Sequence, residues 1–518
     1  MNVHRAADLV TALAAVGVRD FCVCPGGRNA PLVVVLARAT GITVHSFFDE
    51  RAAAYFALGR AKDRGAPVAV VTTSGTAAAE LLPATVEAYY SGVPLILVTA
   101  DRPPSHRGTG SPQAIEQVDL FGIYAPTVFD GAYEADRLSL AEWNGCQPAH
   151  VNICFDEPLV ESPVPTTTLA PAAARRAQPR ADVTAVEDLL GAARRPLVVV
   201  GPLDATDRDE VRAFLQRLRA PVYAEPASGL REDAVLDPLL LTSGEGVMTT
   251  AEFDAVLRLG GVPALRLWRD LETVRRHIPV CSVSRTSFAG LTRGTHVHAA
   301  PGPALAALDL AATSVDDSWR AALLSRDRAR ARALGDLWAA APGAEPTLLR
   351  ALSRLVPHRA LVYLGNSLPI REWDLAAVRE PHAWNVAVNR GANGIDGQLS
   401  TFLGMCAPGR EHWAVVGDLT ALYDLAAPWI LPAIATGPIR IVIVNNGGGQ
   451  IFARLSPHPE LRNEHGVTFE RWAAMWGLHH LRWDAVPDSS RLPERCVIEL
   501  APDPDATMRF WRAYDALD

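Results

Sequence analysis

Two apolar runs that both end in oxygen-bearing turns constrain this 518-residue chain more than any other feature. Trp413 to Val416 stops at Gly417-Asp418, and Ile439 to Val444 stops at Asn445-Asn446 and three glycines, Gly447 to Gly449. A helix-like stretch, Ala421 to Ala435, lies between them. Short β-rich runs separated by a helix predict a βαβ unit with parallel strands. Open parallel sheets bind ligands outside the carboxyl ends of their strands. There Asp418 offers a carboxylate and Asn446 an amide oxygen. The glycines let the backbone fold back, so that a carbonyl such as that of Gly448 faces the same point. Three protein oxygens, completed by phosphate oxygens and water, suit Mg²⁺, a hard cation usually held together with substrate phosphates. Mn²⁺ accepts the same oxygen set. An Asp capping the next helix, or an Asn-Gly turn, explains either half alone. The pair is more specific, because the two residues sit 28 positions apart (446 − 418) on successive strand ends.

The same alternation runs through the rest of the chain. The length suggests about three domains at roughly 150 residues each. Ala6 to Val16 is apolar at helical spacing, Phe21 to Cys24 is a strand stopped by Pro25-Gly26-Gly27, and Val68 to Thr72 and Leu95 to Thr99 are further β-rich runs. This predicts an α/β domain with a parallel sheet over residues 1–162. Pro163 to Pro179 reads as a Pro-, Ala- and Thr-rich linker. A middle α/β domain is expected over 183–312, with Pro196 to Val200 as its clearest strand. A charged helix pattern, Ser318 to Ala339, precedes a third α/β domain over 345–518.

A net charge of −8 argues against general nucleic-acid binding. The seven cysteines form no C-x-x-C pair and no zinc spacing, which reads as a reducing cytoplasm. Charged residues break up the N-terminal apolar residues, so no signal peptide is expected. No 18-residue uncharged apolar run is present, so no membrane span is expected either.

In the first domain, Phe47-Phe48-Asp49-Glu50-Arg51 closes a strand and opens an Ala-rich helix, Ala52 to Lys62. A glutamate in a first helical turn is favourable through the helix dipole alone. Glu50 stands out because its approach is apolar, and a carboxylic acid in apolar surroundings has a raised pKa. Thr72-Thr73-Ser74-Gly75-Thr76-Ala77 follows a strand and precedes a helix; an N-cap is its default reading.

The Gly-Asp, spacer, Asn-Asn pattern resembles the diphosphate-anchoring motif of thiamine-diphosphate enzymes. Leu419 stands where that motif has a third-position glycine. One branch of the superfamily is similar here as well: the 2-succinyl-5-enolpyruvyl-6-hydroxy-3-cyclohexene-1-carboxylate synthases of menaquinone biosynthesis. Its pattern is matched by Gly417-Asp418-Leu419, Asp424-Leu425 and Asn445 to Phe452. The strings FFDERAAAYFALG and TSGTA match it too. The resemblance implies the thiamine-diphosphate-binding fold, with two α/β domains flanking a weaker middle one.

By that resemblance, Glu50 hydrogen-bonds the cofactor's aminopyrimidine ring and favours its imino tautomer. Cofactor contacts are expected from Ser74, Gly75, Ile395, Asp418, Leu419, Asn446, Gly448, Gln450, Ile451 and Phe452. Ile395 matches the bulky residue that holds the cofactor bent. Asp418, Asn446 and Gly448 are the expected metal ligands. The implied reaction decarboxylates 2-oxoglutarate and adds the product to isochorismate. Both substrates are dianions, and guanidinium forks bind carboxylates bidentately. Arg28, Arg102, Arg371 and Arg390 each lie just beyond an apolar run and next to turn residues. In an Arg-rich chain a solvated surface role is the default for an arginine; placement in four family-like motifs argues otherwise for these. Gln113 and Ser367 occupy positions of polar substrate contacts.

Two departures stand out. Gly27 replaces a serine, and the middle domain lacks a Pro-Thr-Ser-Lys-Arg segment, which leaves Arg275 as its candidate contact. A homodimer, or dimer of dimers, is implied, with domains of different subunits sharing each cofactor. The alternatives are another thiamine-dependent 2-oxo acid decarboxylase or ligase, such as an acetolactate synthase, and an inactive scaffold on the same fold.

Overall fold

The computed structural model describes residues 1–133, 136–140, 143–168, 182–306, 308–456, 458–489 and 491–517. Residues 169–179 of the expected linker lie outside the described residues.

Three parallel sheets, each with helices between its strands, make the protein α/β throughout. The first contains β1 (Asp20–Val23), β2 (Thr43–Ser46), β3 (Val68–Thr72), β4 (Leu95–Asp101), β5 (Thr127–Gly131) and β6 (Ala149–Cys154), in the order β2-β1-β3-β4-β6-β5. The second contains β7 (Pro196–Val200), β8 (Val222–Ala224), β9 (Ala255–Leu259), β10 (Val280–Ser284) and β11 (Thr295–His298), in the order β11-β10-β9-β7-β8. The third contains β12 (Leu361–Leu364), β13 (Asn385–Ala387), β14 (His412–Gly417), β15 (Ile439–Val444), β16 (His479–Trp483) and β17 (Arg495–Leu500), in the order β13-β12-β14-β15-β17-β16. Every residue of β3, β4, β6, β7 and β15 is buried, as expected of strands covered on both faces.

Residues 1–177, 391–407 and 422–435 form one compact unit, and 178–390, 408–421 and 436–518 another. The first unit holds the first sheet; the second holds the other two.

β14 and β15 pair in register from His412↔Ile439 to Gly417↔Val444, so Asp418 and Asn445 begin adjacent strand ends. The single helix expected between them is broken. A short helix, Asp418–Tyr423, gives way to a 3₁₀ stretch, Ala427–Ala433. Pro428 and Pro432 have no N–H to donate, and a proline ring clashes with the preceding turn.

Candidate functional site

In the first unit, Glu50 heads the helix Glu50–Arg64, whose N-cap Asp49 accepts from the Ala52 amide at 3.0 Å. Glu50 lines a cavity of about 600 Å³ together with Thr73, Ser74, Thr76, Glu80 and Gln113. Burial raises its pKa above that of an ordinary glutamate; its own backbone amide opposes this, and the charges of Asp49 and Glu80 add to it. The carboxyl therefore keeps its proton to higher pH than a solvated glutamate. Only half of the expected apolar approach is delivered. Phe47 is buried, but Phe48 is 57% exposed and sits edge-on to the Trp429 ring at 4.9 Å.

Ser74 and Gln113 grip each other. The Ser74 hydroxyl donates to the Gln113 carbonyl at 2.8 Å, and the Gln113 side-chain amide donates back to the Ser74 carbonyl at 3.1 Å. Gly75 has φ 82°, and a Cβ there would lie 2.9 Å from Gln113 Cγ, so the turn requires glycine. Its amide donates to Gln117 Oε1 at 2.9 Å. Gln117 in turn donates to Asn152, which donates to Asp101, and Asp101 accepts from the Arg102 amide. Gln117 and Asn152 carry no local sequence signal, because the buried polar groups they meet lie far away in the chain.

Arg102 is half-buried, with Nε donating to the Pro112 carbonyl at 3.0 Å. Arg28 instead turns inward, donating to the Phe155 carbonyl at 3.0 Å and lying 3.4 Å from the Glu157 carboxylate. Ile395 is half-buried in the first unit; next to it, Asp396 accepts from the Tyr55 hydroxyl at 2.6 Å. Tyr55 is on the Glu50 helix, so one element bears on both positions.

In the second unit, Asp418 is 2% exposed at the end of β14. Its Oδ1 accepts from the Leu419 amide at 2.6 Å, and its Oδ2 from the Gly447 and Gly448 amides, each at 2.9 Å. His465 Nε2 lies 3.4 Å from Oδ2. Burial raises the Asp418 pKa, and these amides and His465 pull against it. The β14 and β15 ends are thus brought together as expected, through the carboxylate itself.

Asn446 donates from Nδ2 to both Glu345 oxygens, at 3.2 and 2.9 Å, while its Oδ1 is buried with no partner. The Gly448 carbonyl accepts from the Gln450 amide at 2.9 Å, so one of its two lone pairs is already engaged. A Cβ on Gly448, φ 137°, would meet the Arg462 carbonyl at 2.6 Å. Gln450 caps the helix Ile451–Leu455; Leu419 and Ile451 are half-buried, and Phe452 is exposed.

The adjacent Asn366 and Ser367 each hold one arginine. Ser367, with φ 72°, accepts from Arg371 Nη1 at 2.6 Å through its carbonyl. Asn366 accepts from Arg390 Nη1 at 3.1 Å and donates to the Asn389 carbonyl at 2.8 Å. Arg275 does not join them: its two terminal nitrogens donate to the Ala251 and Thr249 carbonyls, and its guanidinium lies 4.7 Å over the Phe253 ring. Among the described residues, no three His, Cys, Asp or Glu side chains cluster as a metal site.

Residues 3–120 match the thiamine pyrophosphate enzyme, N-terminal TPP binding domain. The whole chain aligns at 42% identity with a 2-succinyl-5-enolpyruvyl-6-hydroxy-3-cyclohexene-1-carboxylate synthase of Bdellovibrio bacteriovorus, over 99% of that protein. Synthases of the same name from Akkermansia muciniphila and Bacillus velezensis align at 40% and 31% identity, over 95% and 98% of this chain and 94% and 96% of theirs. The chain belongs to this synthase family. Within it, Glu50, Ser74, Gly75, Arg28, Arg102 and Gln113 all fall inside the segment that matches the thiamine-pyrophosphate-binding domain. No helix among the described residues is long and apolar enough to cross a membrane.

Proposed function

We propose that the chain uses thiamine diphosphate to decarboxylate 2-oxoglutarate and join the remaining four-carbon unit to isochorismate. The product is 2-succinyl-5-enolpyruvyl-6-hydroxy-3-cyclohexene-1-carboxylate, and the reaction belongs to menaquinone biosynthesis. The observation that carries this reading is Glu50, a half-buried carboxyl of raised pKa on the wall of a 600 Å³ cavity. When bound, the cofactor supplies an electron sink for breaking and making carbon–carbon bonds.

Glu50 holds the proton that the cofactor's aminopyrimidine nitrogen needs. A group poised nearer neutrality than an ordinary carboxylate is suited to that exchange. Ser74, Gly75 and Gln113 shape the turn beside it, and Ile395 would pack against the bound cofactor. Asp418, Asn446 and Gly448 would hold Mg²⁺ or Mn²⁺, which would supply a counter-charge for the diphosphate. The buried, unpartnered Asn446 Oδ1 fits a cation's needs, and the set is all oxygen, as a hard cation prefers. Leu419, Gln450, Ile451 and Phe452 line the cofactor's diphosphate end. Arg102, Arg371 and Arg390, with Ser367 beside them, bind the substrate carboxylates. Arg28 joins them on release from Glu157. Arg275 is kept only as a residue whose fork would first have to leave its carbonyls.

The working form is a cytoplasmic homodimer or dimer of dimers; sedimentation at the mass of one chain would contradict this. The function itself is tested with 1-¹³C-labelled 2-oxoglutarate, thiamine diphosphate and Mg²⁺. Labelled CO₂ should appear, and Glu50→Gln should slow its release by about 10²–10⁴-fold, the usual worth of a general acid–base. Near-normal release from Glu50→Gln removes this residue from the mechanism.

A further inference from the structure

Glu345 is the first residue of the helix Glu345–Leu355 and only 2% exposed. An acid in a first turn is favourable through the helix dipole, which would account for a solvated glutamate. It does not account for a buried one, because burying a carboxylate is strongly unfavourable unless it is paired. Among the described residues, the groups acting on Glu345 are Asn446, Glu372 and Asp418, and none of them is a cation. Its carboxylate instead receives Asn446 Nδ2 on both oxygens, and Glu372, itself fully buried, is packed beside it.

The two ends of an asparagine amide have nearly the same shape, and only hydrogen bonding decides which way it points. A carboxyl group with both oxygens facing the amide nitrogen fixes that choice: nitrogen toward Glu345, oxygen away. The oxygen so directed is the buried atom without a partner. Neighbouring groups that orient a metal ligand commonly matter to affinity about as much as 10–100-fold.

We propose that Glu345 is a positioning residue of the cation site, holding the Asn446 amide nitrogen so that the amide oxygen is committed to the cation. This rests on the assignment of Asn446 as a metal ligand. Swapping donor for acceptor gives the geometry a distinctive test. Glu345→Gln offers a donor to Asn446 Oδ1 and lets the amide turn over. Combined with Asn446→Asp, the same glutamine donates to the new carboxylate and leaves its other oxygen free for the cation.

The probe is Mn²⁺, titrated by electron paramagnetic resonance into protein saturated with thiamine diphosphate. Melting of the metal-free protein is measured in parallel. Wild type should bind Mn²⁺, and Asn446→Ala should bind it at least 10-fold more weakly. Glu345→Gln and Glu345→Ala should each lose about 10–100-fold, with no loss of metal-free stability in the isosteric Gln variant. The double variant Glu345→Gln/Asn446→Asp should recover to within a few-fold of wild type. Wild type that binds no Mn²⁺, or Asn446→Ala that binds it normally, overturns the cation site and this proposal with it. If Asn446→Ala is impaired while both Glu345 variants bind within two-fold of wild type, the positioning role alone falls. It also falls if the double variant fails to recover, or if the Gln variant loses metal-free stability in proportion to its loss of affinity.

Discussion

His150 and Glu50 show opposite uses of burial in the same unit. Burial raises the pKa of Glu50 and favours its protonated form. It lowers that of His150 to about 4, with the Asp130 charge working against it. His150 is fully buried between Phe121, 4.8 Å away edge-on, and Thr99, whose hydroxyl lies 2.7 Å from Nε2. Its Nδ1 has no partner. The folded protein therefore holds this ring neutral, whereas the unfolded chain protonates it near pH 6.5. As pH falls, the unfolded state gains the proton first, so stability drops from about pH 6.5 down to about pH 4 and then levels off. The loss is on the order of 3 kcal/mol by linkage. His150→Gln should flatten the denaturation free energy against pH in that window relative to wild type; identical slopes would contradict the assignment. Glu50 was legible in the sequence because it follows an apolar run and opens a helix. The buried network of His150, Asn152, Thr99 and Gln117 was not, because it joins β6 to β4 and to a loop far away in the chain.

At the scale of elements, two helices in the first unit cross with backbone against backbone. A Cβ on Gly59, in the Glu50 helix, would lie 2.0 Å from the Thr401 carbonyl oxygen. A Cβ on Gly404, in the helix Gln398–Gly404, would lie 2.1 Å from the Phe56 carbonyl oxygen. The second helix starts three residues after Ile395, and Asp424 fixes its first turn by accepting from the Ser400 amide at 2.7 Å and the Ser400 hydroxyl at 2.9 Å. Since backbone cannot step aside as a side chain can, Gly59→Ala should destabilise by about 1–3 kcal/mol or more, as overpacking does. Chemical denaturation measures this, and an unchanged midpoint would contradict the close crossing. Strand positions were readable from β-rich runs and their stop signals; β3, β7 and β15 lie where the apolar runs are. The helix after Asp418 was misread because Ala, Leu and Ile dominate its composition, while Pro428 and Pro432 decide its conformation. The Gly59–Gly404 crossing left no trace in the sequence, because a glycine inside an Ala-rich helix looks like a mild weakness until its neighbour is known.

At the scale of the whole molecule, the three parallel sheets follow from alternating helix and strand signals, a pattern that dictates crossover connections. The return of residues 391–407 and 422–435 to the first unit does not follow from that pattern. Which sheet a segment packs on is decided by contacts such as Tyr55 with Asp396 and Ser400 with Asp424, not by position along the chain. The proposed chemistry is likewise spread along the sequence, with Glu50 near one end and Asp418 and Asn446 near the other, and the proposal has them serve one reaction. That claim is tested most directly by the product. The protein is mixed with thiamine diphosphate, Mg²⁺ and 2-oxoglutarate, with and without isochorismate, and the products are weighed by mass spectrometry. The account predicts that, only when isochorismate is present, a species appears with the mass of isochorismate plus 2-oxoglutarate minus CO₂. The same adduct without cofactor, or cofactor-dependent turnover of pyruvate but not of 2-oxoglutarate, would contradict it.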